Sequence, residues 1–145
     1  MKFSILIVLL TALSSFASNE PRPVNIVASL EISGGAQHRV IIFQNGIVRY
    51  FLGSRTSYIA QINGARINAL KQTIGNIFTK PQETEKESKP NCTPRSKRIY
   101  QVSDEKGSNY VIRTEDECGF TSIKNISRIK AILEGLLALG DEGNL

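Results

Sequence analysis

At 145 residues and 16.0 kDa the chain is sized for one domain, since domains cluster near ~100–150 residues, and a multidomain enzyme is excluded. Hydrophobic residues make up 41% and charged ones 21%, ordinary for a globular chain and too apolar for a wholly disordered one. With two Cys, one His and no Trp there is no raw material for a multi-ligand Cys/His metal site, and the formal charge of +5 is modest and interspersed with acids.

Residues 1–17 read as a secretory signal peptide: Lys2, the apolar run Phe3–Leu13, then Ser15-Phe16-Ala17 with the small residues of a cleavage site. The run is about half the ~20 residues that a spanning helix needs, so no integral membrane anchor is expected. Cleavage near Ala17 would deliver residues 18–145, a single α+β domain, to the periplasm or the medium. In that oxidising setting Cys92 and Cys118 have only one pairing available, and the chain predicts a disulfide between them. Closing that loop corresponds to roughly 3.5 kcal/mol in the chain-entropy model.

Val24 to Ile32 alternates as a half-buried strand, with Ile26, Ala28, Leu30 and Ile32 on one side. Ser33-Gly34-Gly35-Ala36-Gln37 is a turn, and a second strand runs from His38 to Gln44. Asn45-Gly46 then predicts a two-residue hairpin loop, which pairs Phe43 with Val48 and Ile41 with Tyr50 and makes those four the better core face. After strand Ile47–Leu52, Gly53 to Ser57 reads as a turn and Tyr58 to Ile62 as a short strand. Ile67, Leu70, Ile74, Ile77 and Phe78 follow one helical face, with Asn63 as N-cap and Pro81 as the limit.

Residues 80–97, rich in Pro, Glu and Lys with almost nothing apolar, read as a flexible charged loop. A second hairpin, Arg98–Ser103 and Ser108–Thr114, turns through Asp104 to Gly107. If Ser103 faces Ser108, the disulfide clamps the open end of this hairpin. From Ser122 onward the helical period returns through Ile126, Ile129, Ile132, Leu133, Leu136 and Leu137, with Ser122 or Asn125 to cap it and Gly140 to end it. The expected fold is an antiparallel sheet of four to six strands with two helices packed on one face, in the order strands-helix-strands-helix.

Enzyme signatures are missing: no phosphate loop, no Gly-x-Ser-x-Gly elbow, no His-Glu-x-x-His helix. No catalytic residue, metal ligand or cofactor is therefore assigned, and His38 reads as an ordinary strand residue beside a turn. The carboxylates Asp104-Glu105 and Glu115-Asp116-Glu117 sit where turns favour them. Lys124, Arg128 and Lys130 line the last helix as a basic surface, but no interleaved aromatic series offers stacking platforms, so nucleic acid is not an expected partner.

The first strand running into Ser33-Gly34-Gly35, the Asn45-Gly46 hairpin, a helix through Leu70 to Ile77-Phe78, a central loop, a second hairpin and a Leu-rich last helix together resemble emfourin-like small bacterial proteins. The resemblance covers roughly residues 26–139 and rests on short structural motifs. The signal peptide, the cysteine pair and the charged insertion depart from it. It implies a non-enzymatic protein that binds a protein partner, a protease inhibitor directed at a secreted metalloprotease. The recognition residues would be Ser33, Gly34, Gly35, Gln37 and Arg55, on loops held by a rigid sheet. The alternative is a cell-envelope module that docks on an anionic surface or partner through Lys124, Arg128 and Lys130.

Overall fold

A computed structural model describes residues 25–143; residues 1–17, read from the sequence as a signal peptide, lie outside them. The described residues are α+β: one antiparallel sheet of eight strands and two helices. Along the chain come β1 (Ile26–Ser33), β2 (His38–Phe43), β3 (Ile47–Leu52), β4 (Arg55–Gln61), α1 (Gly64–Phe78), β5 (Thr84–Ser88), β6 (Lys97–Ser103), β7 (Asn109–Asp116), β8 (Gly119–Ile123) and α2 (Ser127–Glu142). In space the strands run β4-β3-β2-β1-β6-β7-β8-β5, so the first strand lies in the middle and β5 at an edge. The sheet exceeds the expected four to six strands because two strands carry no period-2 signal.

One of these is β5. Both of its faces are exposed, so no alternation of polarity marks it, and the 80–97 segment is not the uniform loop it reads as. Main-chain pairing with β8 holds it, Thr84 facing Ile123 and Ser88 facing Gly119. Lys124 straps its start by donating from its backbone N–H to the Glu83 carbonyl (3.0 Å) and from Nζ to the Glu83 carboxylate (2.6 Å). The other is β8, which takes Ser122 from the expected helix. Asn125 is not a cap but a residue at φ +64° between β8 and α2, the left-handed region that Asn tolerates. Helix α2 starts at Ser127 with Ile126 at the N-cap position and no side-chain cap.

The β2–β3 hairpin follows the Asn45-Gly46 signal but slips by one residue. Gly46, at φ +82°, donates from its N–H to the Phe43 carbonyl (2.9 Å), which makes a three-residue connection rather than a two-residue one. Val40 therefore faces Tyr50 and Ile42 faces Val48. A one-residue slip turns a strand over. The inward residues of β2 are Val40 and Ile42, fully buried, and not Ile41 and Phe43 as expected. The β6–β7 register also moves: Ser103 faces Asn109, and an irregularity beyond Gln101 brings Tyr100 opposite Arg113.

Both helices feed one core on the inward face of the sheet. Ile67, Leu70 and Ile74 of α1 and Ile129, Leu133 and Leu137 of α2 join Ala28, Leu30, Val40, Ile42, Val48, Tyr50, Tyr100 and Val102. Asn63 caps α1, its side chain accepting from the Arg66 N–H at 2.9 Å. Gly140 does not end α2 but lies inside it, and a Cβ there would collide with the Tyr50 ring. Glycine lets the last turn of α2 close onto β3. No helix among the described residues is long and apolar enough to cross a membrane.

Candidate recognition surface

Antiparallel order carries the β1–β2 turn, the β3–β4 turn, the segment between β5 and β6 and the β7–β8 turn to one end of the sheet. There the recognition residues read from the sequence come together. The Gly53 N–H donates to the Gln37 carbonyl (2.8 Å), joining the first two turns. The second turn is only Gly53-Ser54, because Arg55 to Ser57 already belong to β4; Arg55 is its exposed first residue. Gln37 is exposed and its amide donates to Glu31 Oε1 (2.8 Å). Gly34, at φ +107°, lies where any Cβ would strike the Arg95 carbonyl and Ser96 Cα, so the β1–β2 turn is seated on the segment before β6. Gly35, at φ +115°, faces open space.

The disulfide is present between Cys92 and Cys118, with Cα atoms 5.5 Å apart. It lies at the open end of the β6–β7 hairpin, beyond the Arg98–Glu115 pair, and ties the segment between β5 and β6 to the β7–β8 turn. Around it the Lys89 N–H donates to the Cys118 carbonyl (2.7 Å) and Lys89 Nζ to the Glu117 carbonyl (3.1 Å). The Glu117 carboxylate accepts from the Arg95 N–H (3.1 Å), the Ser96 N–H (3.4 Å) and the Ser96 hydroxyl (2.9 Å). Hydrogen bonds from its own backbone N–H, the Ser96 hydroxyl and the Arg95 N–H stabilise its charged form, and they hold its pKa down at about 2. A charged carboxylate thus organises a stretch that has almost no apolar residue to pack.

Behind this end lie two polar anchors that no local pattern announces. Tyr50, 1% exposed, donates its hydroxyl to Asp141 Oδ1. His38 Nδ1 lies 2.9 Å from the same oxygen and 2.8 Å from the Tyr50 hydroxyl. With the phenol proton given to Asp141, His38 Nδ1 must carry its own proton and donate. Burial first, and then the Asp141 carboxylate, push the Tyr50 pKa up to about 12. In the second anchor the hydroxyl of Tyr100, 0% exposed, lies 2.9 Å from Glu115 Oε1 and 2.8 Å from Glu134 Oε1, and its single proton serves one at a time. Burial and these carboxylates raise the Tyr100 pKa. Burial opposes the charge of Glu115, but hydrogen bonds from Arg113 (2.5 Å) and Tyr100 outweigh it and leave the carboxyl below its ordinary range.

Of the basic surface, Lys124 is paired with Glu83 at 2.6 Å, and Lys130 with Glu134 at 3.3 Å and Glu115 at 3.8 Å. Only Arg128 of the three has no ion pair among the described residues. No group of three or more His, Cys, Asp or Glu residues among them is arranged to hold a metal ion. Sequence reading missed Tyr50, Asp141, Tyr100 and Glu134 because their partners are between 12 and 103 residues away. Compared with family models, curated proteins and solved structures, the chain matches none.

Proposed function

We propose that this is an exported, non-enzymatic binding protein that holds a protein partner at the loop end of the sheet. The observation that supports this reading is the mutual bracing of three exposed segments: Gly53 on Gln37, Gly34 on Arg95-Ser96, and the Cys92–Cys118 bridge. Loops held in one conformation lose little entropy on binding, which is what a recognition surface needs. Following the resemblance to emfourin-like proteins, the partner is a secreted metalloprotease and the outcome of binding is inhibition.

Titration of the purified protein against a thermolysin-like metalloprotease and a serine protease tests this directly. Stoichiometric inhibition of the metalloprotease, weakened tenfold or more by Gln37→Ala with Arg55→Glu, is the expected result. Both side chains are exposed, so their loss leaves the fold intact. Gly34 is a poor probe, since any replacement strains the turn and collides with the next segment. Absence of inhibition at micromolar protein ends the inhibitor reading, and substrate turnover abolished by His38→Ala moves the protein to an enzyme. Docking on an anionic surface through Lys124, Arg128 and Lys130 has less support, because Glu83, Glu115 and Glu134 already neutralise two of the three.

A further inference from the structure

Among the described residues both helices cover one face of the sheet, and the strand registers show what the other face carries. Across β2, β3 and β4, Arg39 faces Phe51, Ile41 faces Arg49, Arg49 faces Tyr58 and Phe51 faces Thr56. Ile47 and Phe43 complete this helix-free patch, which has no Lys, Asp or Glu. Tyr58 is 60% exposed and Arg49 is exposed, and neither side chain has a hydrogen bond or ion pair among the described residues. Ile41 is nonetheless only 4% exposed, so the long side chains around it lie across the sheet. Arg39 Nε is among the atoms so covered, without a hydrogen-bond partner, and its nearest acid is Glu31 of β1 at 4.0 Å.

The other half of the same face is different. From β5 to β8 it carries Lys86, Lys97, Thr114, Asp116 and Thr121, an ordinary solvated surface with only scattered apolar residues. The contrast matters because protein interfaces are enriched in Arg, Tyr and Phe and depleted in Lys, Asp and Glu at their centres. We propose that the helix-free face of β2–β4 is a second docking surface, separate from the loop end, for an acidic segment of a partner protein. Arg49, with no ion pair among the described residues, supplies the charge preference beside Arg39, whose own ion pair is the long contact with Glu31 of β1; Phe51, Tyr58 and Ile41 supply the apolar contact. A second copy of this chain is the wrong occupant, since face-to-face pairing sets arginines against arginines.

The test is amide-shift mapping on the 15N-labelled protein, titrated with a decapeptide of alternating Glu and Tyr and with its Lys/Tyr counterpart. A sulfated oligosaccharide serves as a third probe, and sedimentation velocity reports self-association. Saturable shifts confined to β2–β4 with the Glu/Tyr peptide only are expected, weakening at least tenfold in Arg49→Glu and in Tyr58→Ala and unchanged in Lys86→Glu. Affinity should fall as salt is raised from 50 to 500 mM, over which the screening length shortens several-fold. The amide spectra show whether each variant is folded; should Tyr58→Ala perturb β4, Arg39→Gln gives the second measurement. Absence of shifts, shifts at residues 34–37 and 53–55 instead, binding of the oligosaccharide alone, or a concentration-dependent dimer each overturn the proposal.

Discussion

Along β1–β4 the inward side chains are Ala28, Leu30, Val40, Ile42, Val48 and Tyr50, all buried under the helices, and the ladder needs little else to hold it. Along β6–β8 the same face changes character beyond Tyr100 and Val102, where Arg98, Arg113, Glu115 and Phe120 stand in place of aliphatic residues. Arg113 lies over the Phe120 ring at 4.3 Å and binds Glu115, while Lys130 and Glu134 of α2 close over the group. One flank is held mainly by apolar burial, with Tyr50, His38 and Asp141 as its polar anchor; the other by paired charges, a disulfide and an edge strand with no buried residue. The same architecture can thus be stable as a whole and unequal in its parts.

The largest effect expected is that of Leu133→Ala in the shared apolar layer. Leu133 is fully buried, and such truncations cost about 2–5 kcal/mol; urea unfolding should place this variant toward the upper part of that range. Replacing both cysteines by Ser removes a constraint of up to roughly 3.5 kcal/mol, but locally. Hydrogen exchange should accelerate at β5 and β8 while β1–β3 keeps its protection, and uniform acceleration would mean that the two flanks are one cooperative unit.

The two tyrosine anchors give a smaller and sharper contrast. Tyr100→Phe strips the donor from two carboxylates and should cost about 1.5–3 kcal/mol, the range for a hydrogen bond to a charged group. Tyr50→Phe should cost less, because Asp141 keeps His38 and is 45% exposed to water. Tyr50 also predicts an alkaline limb. Its folded pKa of about 12 stands above the ordinary 10.0, so the unfolded chain releases its proton first and stability falls as pH rises between those values. Tyr100, whose pKa is raised as well, adds to that limb, so Tyr50→Phe should shrink it and the double variant Tyr50→Phe with Tyr100→Phe should remove it.

The smallest effect is at Glu117. Its folded pKa of about 2 is below the ordinary 4.5, so its contribution is complete above pH 4.5 and disappears as pH falls toward 2. Glu117→Gln should flatten that acid limb and speed exchange at Arg95 and Ser96, whose N–H groups the carboxylate holds.

How far the fold was legible follows from where each signal resides. The α1 stripe, its Asn63 cap and the disulfide depend on spacing and chemistry that a sequence displays. The Val40-Ile41-Ile42-Phe43 run does not display its face, because the helix-free side is itself apolar here and alternation disappears. Strand β5 fails for the opposite reason, having no buried side chain to alternate with. Gly34 and Gln37 are readable as turn residues, whereas Ser33 ends β1 and Arg55 starts β4; the convergence of these residues with Arg95 and Glu117 is a property of strand order. The arginine and aromatic patch was equally hidden, its members belonging to three strands and meeting only through register.

Strand order also has a kinetic side. Strand β1 sits between β2, its neighbour in sequence, and β6, where Ser29 reaches Gln101 across 72 residues. Every other ladder joins consecutive strands, except the clip of β5 onto β8. Hairpins β2–β3–β4 and β6–β7–β8 can each form from short loops, but the seam that makes one sheet of them waits for a large loop to close. Folding should therefore be limited by the β1–β6 seam and not by either hairpin, and the strand made first is among the last to be fully paired.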